Sequence, residues 1–111
     1  MRLVVAGYGF VGHAFERAVC CTNEVSIFDP AKGYLANHHD FEYAQALVVC
    51  VSTPQNKDGA CNMNNVFEVV AMSPDIPILI KSTISLEGWE ILKDAFPNKR
   101  ICFSPEFLRA E

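Results

Sequence analysis

Gly7-Tyr8-Gly9-Phe10-Val11-Gly12 is the stretch whose residue types and spacing carry the most specific chemistry. In a G-x-G-x-x-G turn each glycine answers a separate demand. The first permits the tight turn, the second lets the backbone approach a pyrophosphate, and the third lets a helix pack against the strand before it. A helix starting at Phe10 and Val11 then offers unsatisfied N–H groups and the positive end of its dipole to the phosphates. Asp29 supplies the second half of the signal. It lies 22 positions after Gly7, close to the ~20 at which an acid meets the adenosine ribose. A carboxylate there accepts the 2′ and 3′ hydroxyls and repels a 2′-phosphate, which favours NAD over NADP; the neighbouring Lys32 would soften that preference. The bland alternative is a bare βα turn with Asp29 as a solvated strand-end acid. Strand, glycines, helix and acid in the right order favour the dinucleotide.

Other reactive side chains are less well arranged. Cys20, Cys21, Cys50, Cys61 and Cys102 form no C-x-x-C pair and leave an odd thiol, which fits a reducing, cytoplasmic setting rather than a disulfide scaffold. Cys50 and Cys102 lie in apolar runs, where a thiol serves as a small hydrophobe. Cys20 and Cys21 close a helix, where the dipole raises a thiol pKa, and are read as packing. Cys61 follows Asp58-Gly59 in a loop with no histidine or lysine beside it to activate it. His38-His39 are read as a surface loop, because adjacent side chains diverge and no third metal ligand is evident.

The elements that must position these residues are marked by punctuation. Pro30, Pro54, Pro74, Pro77, Pro97 and Pro105 fall between or at the edges of periodic segments. Short apolar runs at 2–6, 24–28, 47–51, 76–80 and 100–103 read as strands, most of them apolar on both faces like those of a buried parallel sheet. Helical spacing separates them. Phe10, Ala14 and Ala18 stack with Val11, Phe15 and Val19 along one face. A second helix runs from 62 to about 72, with Asn62 as N-cap and Val66, Val69 and Val70 inward. A third, 86–96, sets Trp89, Leu92, Lys93 and Phe96 on one stripe, with the Lys93 stem lying along it. A short helix is expected over 40–46.

This alternation implies right-handed crossovers and a doubly wound α/β sheet. Only eighteen residues separate Asp29 from Val48, too few for the usual helix, strand and further short helix. The expected sheet is therefore a minimal Rossmann fold of five strands in the order 2-1-3-4-5, with the second strand at an edge that Pro30 helps to blunt. Irregular pairing of 35–39 in the missing place is the alternative. The 111 residues suit one domain, 1–111, without room for a second core. Nine Lys+Arg against thirteen Asp+Glu give a net charge of −4, and the basic residues are scattered apart from Lys99-Arg100, which argues against nucleic acid. No apolar run approaches the roughly 18 residues of a membrane span, and no signal peptide is expected in the opening residues.

From Leu47 onward the chain resembles the nucleotide-sugar dehydrogenases of the UDP-glucose/GDP-mannose dehydrogenase family. Three segments carry the resemblance: Val48-Val49-Cys50-Val51-Ser52-Thr53-Pro54 with Asp58-Gly59, then Ile80-Lys81-Ser82-Thr83, then Ser104-Pro105-Glu106-Phe107-Leu108-Arg109. Together with the glycine turn they span residues 7 to 109 in the family's order. The resemblance implies that Ser52, Thr53 and Pro54 pass along NAD and that Thr83 reaches its nicotinamide side. Glu106, with the threonine, would position water near the reacting centre. Both are assisting catalytic roles.

The family oxidises a nucleotide-sugar C6 alcohol to the acid in two NAD-dependent steps through a thiol-bound intermediate. Its cysteine, in a Gly-x-Gly-Cys-Phe context, and its sugar pocket belong to a second domain, and nothing in this sequence matches them. The expectation is thus a cofactor half, with the thiol and sugar site on a separate catalytic chain or on missing sequence. The alternative is a non-catalytic dinucleotide module for sensing, regulation or assembly. Two positions depart from the family: Ile84-Ser85-Leu86-Glu87-Gly88 replaces its usual Val-Pro-Val-Gly-Thr, and Ala110 stands where many relatives carry a second glutamate.

Overall fold

In the computed structural model the apolar runs become β1 (Arg2–Ala6), β2 (Glu24–Phe28), β3 (Ala46–Val49), β4 (Ile78–Ile80) and β5 (Ile101–Phe103). They pair in one parallel sheet of order β2-β1-β3-β4-β5, as the sequence predicts. Helices α1 (Phe10–Val19), α2 (His38–Glu42), α3 (Asn64–Met72) and α4 (Leu86–Ala95) link the strands, with a 3₁₀ turn at Pro30–Lys32. The structure describes residues 1–34, 38–54, 56–59 and 62–104, and backbone alone at Phe10, His38 and His39. Cys61, Glu106 and the rest of the Pro105–Arg109 motif lie outside the described residues.

Strand alternation divides the apolar side chains between two faces. Val4, Ala6, Leu47, Val49, Ile78 and Ile80 join Phe41 of α2, Val66, Val69 and Val70 of α3, and Leu92 of α4 in the larger core. Val5, Val48 and Cys50 form the smaller one, under Val11 and Phe15 of α1 and beside Val25 and Ile27 of β2. Handedness explains the division. The β1→β2 connection runs one way along the sheet and β3→β4→β5 the other, so right-handed crossovers put α1 opposite α3 and α4.

The α4 stripe forms as its spacing predicts. Ser85 caps the helix by accepting the Gly88 N–H at 2.9 Å. Trp89 stacks on Phe103 at 5.5 Å, and the Lys93 amine lies 5.5 Å from the Trp89 ring. Leu92 is fully buried, and Phe96 meets Phe67 of α3 at 5.9 Å.

Several boundaries differ from the sequence reading, each for a local reason. α2 occupies 38–42 rather than 40–46, and so takes His38-His39 out of the expected loop. It stops early because the chain must already enter the sheet at Gln45, whose N–H donates to the Arg2 carbonyl while its side chain accepts the Arg2 N–H. β3 ends at Val49, where the glycine turn presses on the Cys50–Val51 backbone. β4 starts at Ile78, after Pro77, whose ring nitrogen has no hydrogen to donate. β5 begins one residue late, at Ile101.

At α3 the N-cap position falls to Met63, and Asn62 instead accepts the Asn64 N–H, one residue out of register. Cys20 and Cys21 are exposed, not packed. Cys102 is exposed as well, because Ile101 and Phe103 turn to the larger core and leave it on the α1 side of an edge strand that α1 does not reach. The irregular pairing considered for 35–39 falls partly outside the described residues; the observed contact there is an antiparallel bridge between Asp29 and Tyr34.

Candidate functional site

The two directions of winding meet between β1 and β3, and a crevice opens at such a switch point beyond the carboxyl ends of the strands. A cavity of about 630 Å³ occupies it. The glycine turn forms one wall. Gly7 sits at φ +94°, its N–H bonded to the Phe28 carbonyl at 2.8 Å, and any Cβ there would come within 2.6 Å of the Cys50 and Val51 backbone. A Cβ on Gly12 would lie 2.1 Å from the Gly7 carbonyl oxygen, so this glycine lets α1 dock against the turn. Gly9 is different: a Cβ would meet nothing within 4 Å, and the residue lines the cavity as the N-cap of α1. Packing within the protein gives no reason for glycine at this position. Room for a ligand against the backbone does, and the residues therefore fit a bound pyrophosphate.

The loop after β2 forms the second wall. Asp29 and Tyr34 exchange backbone hydrogen bonds at 2.7 and 3.1 Å, closing a loop that contains the 3₁₀ turn and the left-handed Gly33 at φ +84°. Two side chains of the loop grip Tyr8. The Asp29 carboxylate accepts the Tyr8 N–H at 2.8 Å, and the Lys32 amine donates to the Tyr8 carbonyl at 2.8 Å. The Tyr8 ring lies between His13, stacked at 4.4 Å, and Tyr34, edge-on at 4.8 Å. Its hydroxyl donates to the Glu16 carboxylate. That hydrogen bond is the main cause of a Tyr8 pKa pushed up to about 12, with desolvation and the Glu16 charge adding to it.

The ends of β3 and β4 supply the floor and far wall. Thr53 donates its hydroxyl to the Thr83 carbonyl at 2.6 Å, tying the two loops together. Ser82 is buried and donates to the Val51 carbonyl at 2.7 Å, a structural use of its hydroxyl. Lys81 is buried at the β4 end, with its amine 3.4 Å from the Ser104 hydroxyl. Asn65, at the start of α3, donates to the Ser52 carbonyl at 2.9 Å.

Of the residues expected to bind cofactor, Gly7, Gly9, Val11, Asp29, Lys32, Ser52, Thr53 and Thr83 all line this one cavity. Gly12 lies beneath the turn instead. Pro54 is not in the lining; its carbonyl accepts the Asn62 N–H at 2.8 Å and closes the base of the next loop. Phe10 begins α1, its side chain outside the described residues, as is Glu106. The sequence reading missed Asn65, Glu68, Val69 and Met72, which line the cavity from α3. Their i, i+3, i+4, i+7 spacing is the signal that a second stripe of this helix faces something other than the core. Among the described residues, no three His, Cys, Asp or Glu side chains gather as metal ligands, and no helix is long and apolar enough to cross a membrane.

No family model matches the chain. Solved structures do. A UDP-glucose dehydrogenase from the hyperthermophilic archaeon Pyrobaculum islandicum superposes with a TM-score of 0.65 at 17% identity, over 96% of this chain and 36% of its own. A GDP-mannose dehydrogenase from Pseudomonas aeruginosa, solved as a ternary complex, superposes with a TM-score of 0.68 at 18% identity, over 98% of this chain and 37% of its own. The chain thus spans little more than a third of the length of either structure. At such low identity, what the likeness shows is the fold.

Proposed function

We propose that the chain binds NAD(H) as the cofactor half of a nucleotide-sugar dehydrogenase. The observation that carries this reading is the convergence of the glycine turn, Asp29, Thr53 and Thr83 on one switch-point cavity. The N–H groups of the first turn of α1 hold the pyrophosphate, and no side chain caps that turn or places an acid in it. Asp29 accepts the adenosine ribose hydroxyls. Thr53 and Thr83, joined by their hydrogen bond, border the nicotinamide end, where by resemblance Glu106 joins Thr83 in positioning water. NAD would supply the hydride acceptor; the reactive thiol and the sugar pocket would come from another part of the protein or a separate chain. A reducing, cytoplasmic compartment belongs to the same reading.

A second reading, a dinucleotide module without catalysis of its own, is favoured by one feature. Cys50 is the cavity-lining cysteine among the described residues, and it is only 9% exposed, beneath the glycine turn. A thiol in that place is poorly set to attack a sugar aldehyde.

Calorimetric titration with NAD, NADP and UDP-glucose tests both readings. NAD is expected to bind more tightly than NADP. A chain that binds no dinucleotide would overturn the proposal. NADH production from UDP-glucose by the purified chain would reject the second reading.

A further inference from the structure

Lys32 stands where a basic residue would ordinarily be read as a ligand for a 2′-phosphate, next to the acid that selects against one. Its observed contact is different. The amine lies 2.8 Å from the carbonyl oxygen of Tyr8, and the Asp29 carboxylate takes the N–H of that same residue at 2.8 Å. Tyr8 is the middle residue between the first two glycines of the turn, so its backbone is held from both ends by side chains of one loop. That loop is itself fixed, closed by the Asp29–Tyr34 bridge and turned by the left-handed Gly33. Tyr34 adds a ring contact to Tyr8 at 4.8 Å.

We infer that Lys32 is a positioning residue for the glycine turn: it acts on the cofactor through the Tyr8 carbonyl and does not read the 2′ position. The inference rests on the dinucleotide reading above and deepens it. The Tyr8 ring is held by Glu16, His13 and Tyr34, but its peptide groups adjoin Gly7, the pivot of the turn, and Gly9, with open space around it, and it is the loop's two side chains that address them. The charged donor on its carbonyl fixes the orientation of the amide that leads into Gly9 and the start of α1, and the charged acceptor on its N–H fixes the amide that follows Gly7. Charge-assisted hydrogen bonds of this kind are stronger than neutral ones, and the exposure of Lys32 reduces the effect without abolishing it.

Two roles for Lys32 predict different patterns of affinity. As a 2′-phosphate ligand, it would matter for NADP and hardly for NAD. As a clamp on the turn, it matters for both by the same factor. The experiment is calorimetric titration of wild type, Lys32→Met and Lys32→Arg with NAD and with NADP. Lys32→Met is expected to weaken both cofactors about fivefold, the order expected for losing one partly exposed charged hydrogen bond. The NAD/NADP ratio should stay within about twofold, and Lys32→Arg, which keeps a charged donor within reach, should recover most of the loss. A selective tenfold loss of NADP, or no change for either cofactor, would overturn the inference.

Amide hydrogen exchange at Tyr8 provides a measurement that needs no ligand. Lys32→Met should speed exchange of the Tyr8 N–H severalfold while the melting temperature stays within a degree or two of wild type. Unchanged exchange would reject the clamp even if the wild-type chain bound no dinucleotide. If NAD binds the wild type and only the Lys32 effects are missing, the clamp fails and the cofactor reading stands.

Discussion

The two faces of the sheet are built very differently. On one, α2, α3 and α4 join the strands in a core that holds fourteen buried residues among those described and extends from β1 to β4. On the other, α1 alone covers Val5, Val48 and Cys50, and beyond it the side of β4 and β5 that carries Leu79 and Cys102 has no helix over it among the described residues. The candidate site belongs mostly to the lightly covered side: the glycine turn leads into α1, and the loop carrying Asp29 and Lys32 follows the strand beside it. The heavily covered side contributes one stripe of α3. Bulk stability and cofactor geometry are thereby placed largely in different residues, and substitutions should separate them.

The largest expected effect is on the three-helix face. Leu92→Ala removes a fully buried side chain from the larger core, and should lower unfolding free energy by about 3 kcal/mol, measured by denaturant titration. Cofactor affinity should be little changed wherever the variant is still folded. Gly12→Ala should invert that pattern. Its methyl would lie 2.1 Å from a backbone oxygen, so α1 must move away from the turn, at about 2 kcal/mol. Because no second helix among the described residues shares that face, dinucleotide binding should fall more than tenfold. If Gly12→Ala kept full affinity, the separation between the two faces would be wrong.

The two thiols on the α1 side sharpen the comparison further. Cys50→Ser puts a hydroxyl into the smaller core and should cost about 1–2 kcal/mol, whereas Cys102→Ser should stay within about 0.5 kcal/mol. In the native state Cys102 should react with a thiol reagent and Cys50 only on unfolding, which mass spectrometry of the labelled chain would show.

The smallest effect concerns Tyr8, whose pKa of about 12 is raised above the ordinary value of 10. A raised folded-state value stabilises the fold fully below pH 10 and loses that contribution as pH climbs through about 12. In an ultraviolet titration Tyr8 should ionise late, and Glu16→Gln should bring it back toward the ordinary value of 10.

How legible this was from sequence follows the same division. β1 and β2 match their expected bounds residue for residue, and α1 starts where the glycine turn places it, at Phe10, because a glycine turn and a strand-end acid punctuate them unambiguously. The order of all five strands was readable from the short gap between Asp29 and Val48. The fates of Cys50 and Cys102 were not, since both sit in apolar runs of the same appearance. Burial is decided by whether a helix on the far face reaches that strand, and that depends on the direction of the crossovers rather than on local pattern.

The site divides similarly. Gly7 and Asp29 announce themselves by type and spacing. Pro54 lies outside the cavity lining although it adjoins Thr53, because adjacency in the chain does not fix which way the backbone turns after a strand. The α3 stripe escaped notice because Val69 serves both the core and the cavity, so hydrophobic spacing alone credited it to the core. Lys32 was seen as a charge near a ribose. Only the folded loop reveals that its amine addresses a carbonyl one strand away.

The edge position of β2 has a consequence for how occupancy would be sensed. Among the described residues this strand is hydrogen-bonded along one side, to β1, and Asp29 stands at its end. A dinucleotide reaching from Asp29 to Thr83 would bridge this outermost strand to the end of β4, across β1 and β3. An edge strand is then what the cofactor would fasten, so slowed backbone exchange in 24–28 on adding NAD would serve as a built-in gauge of loading.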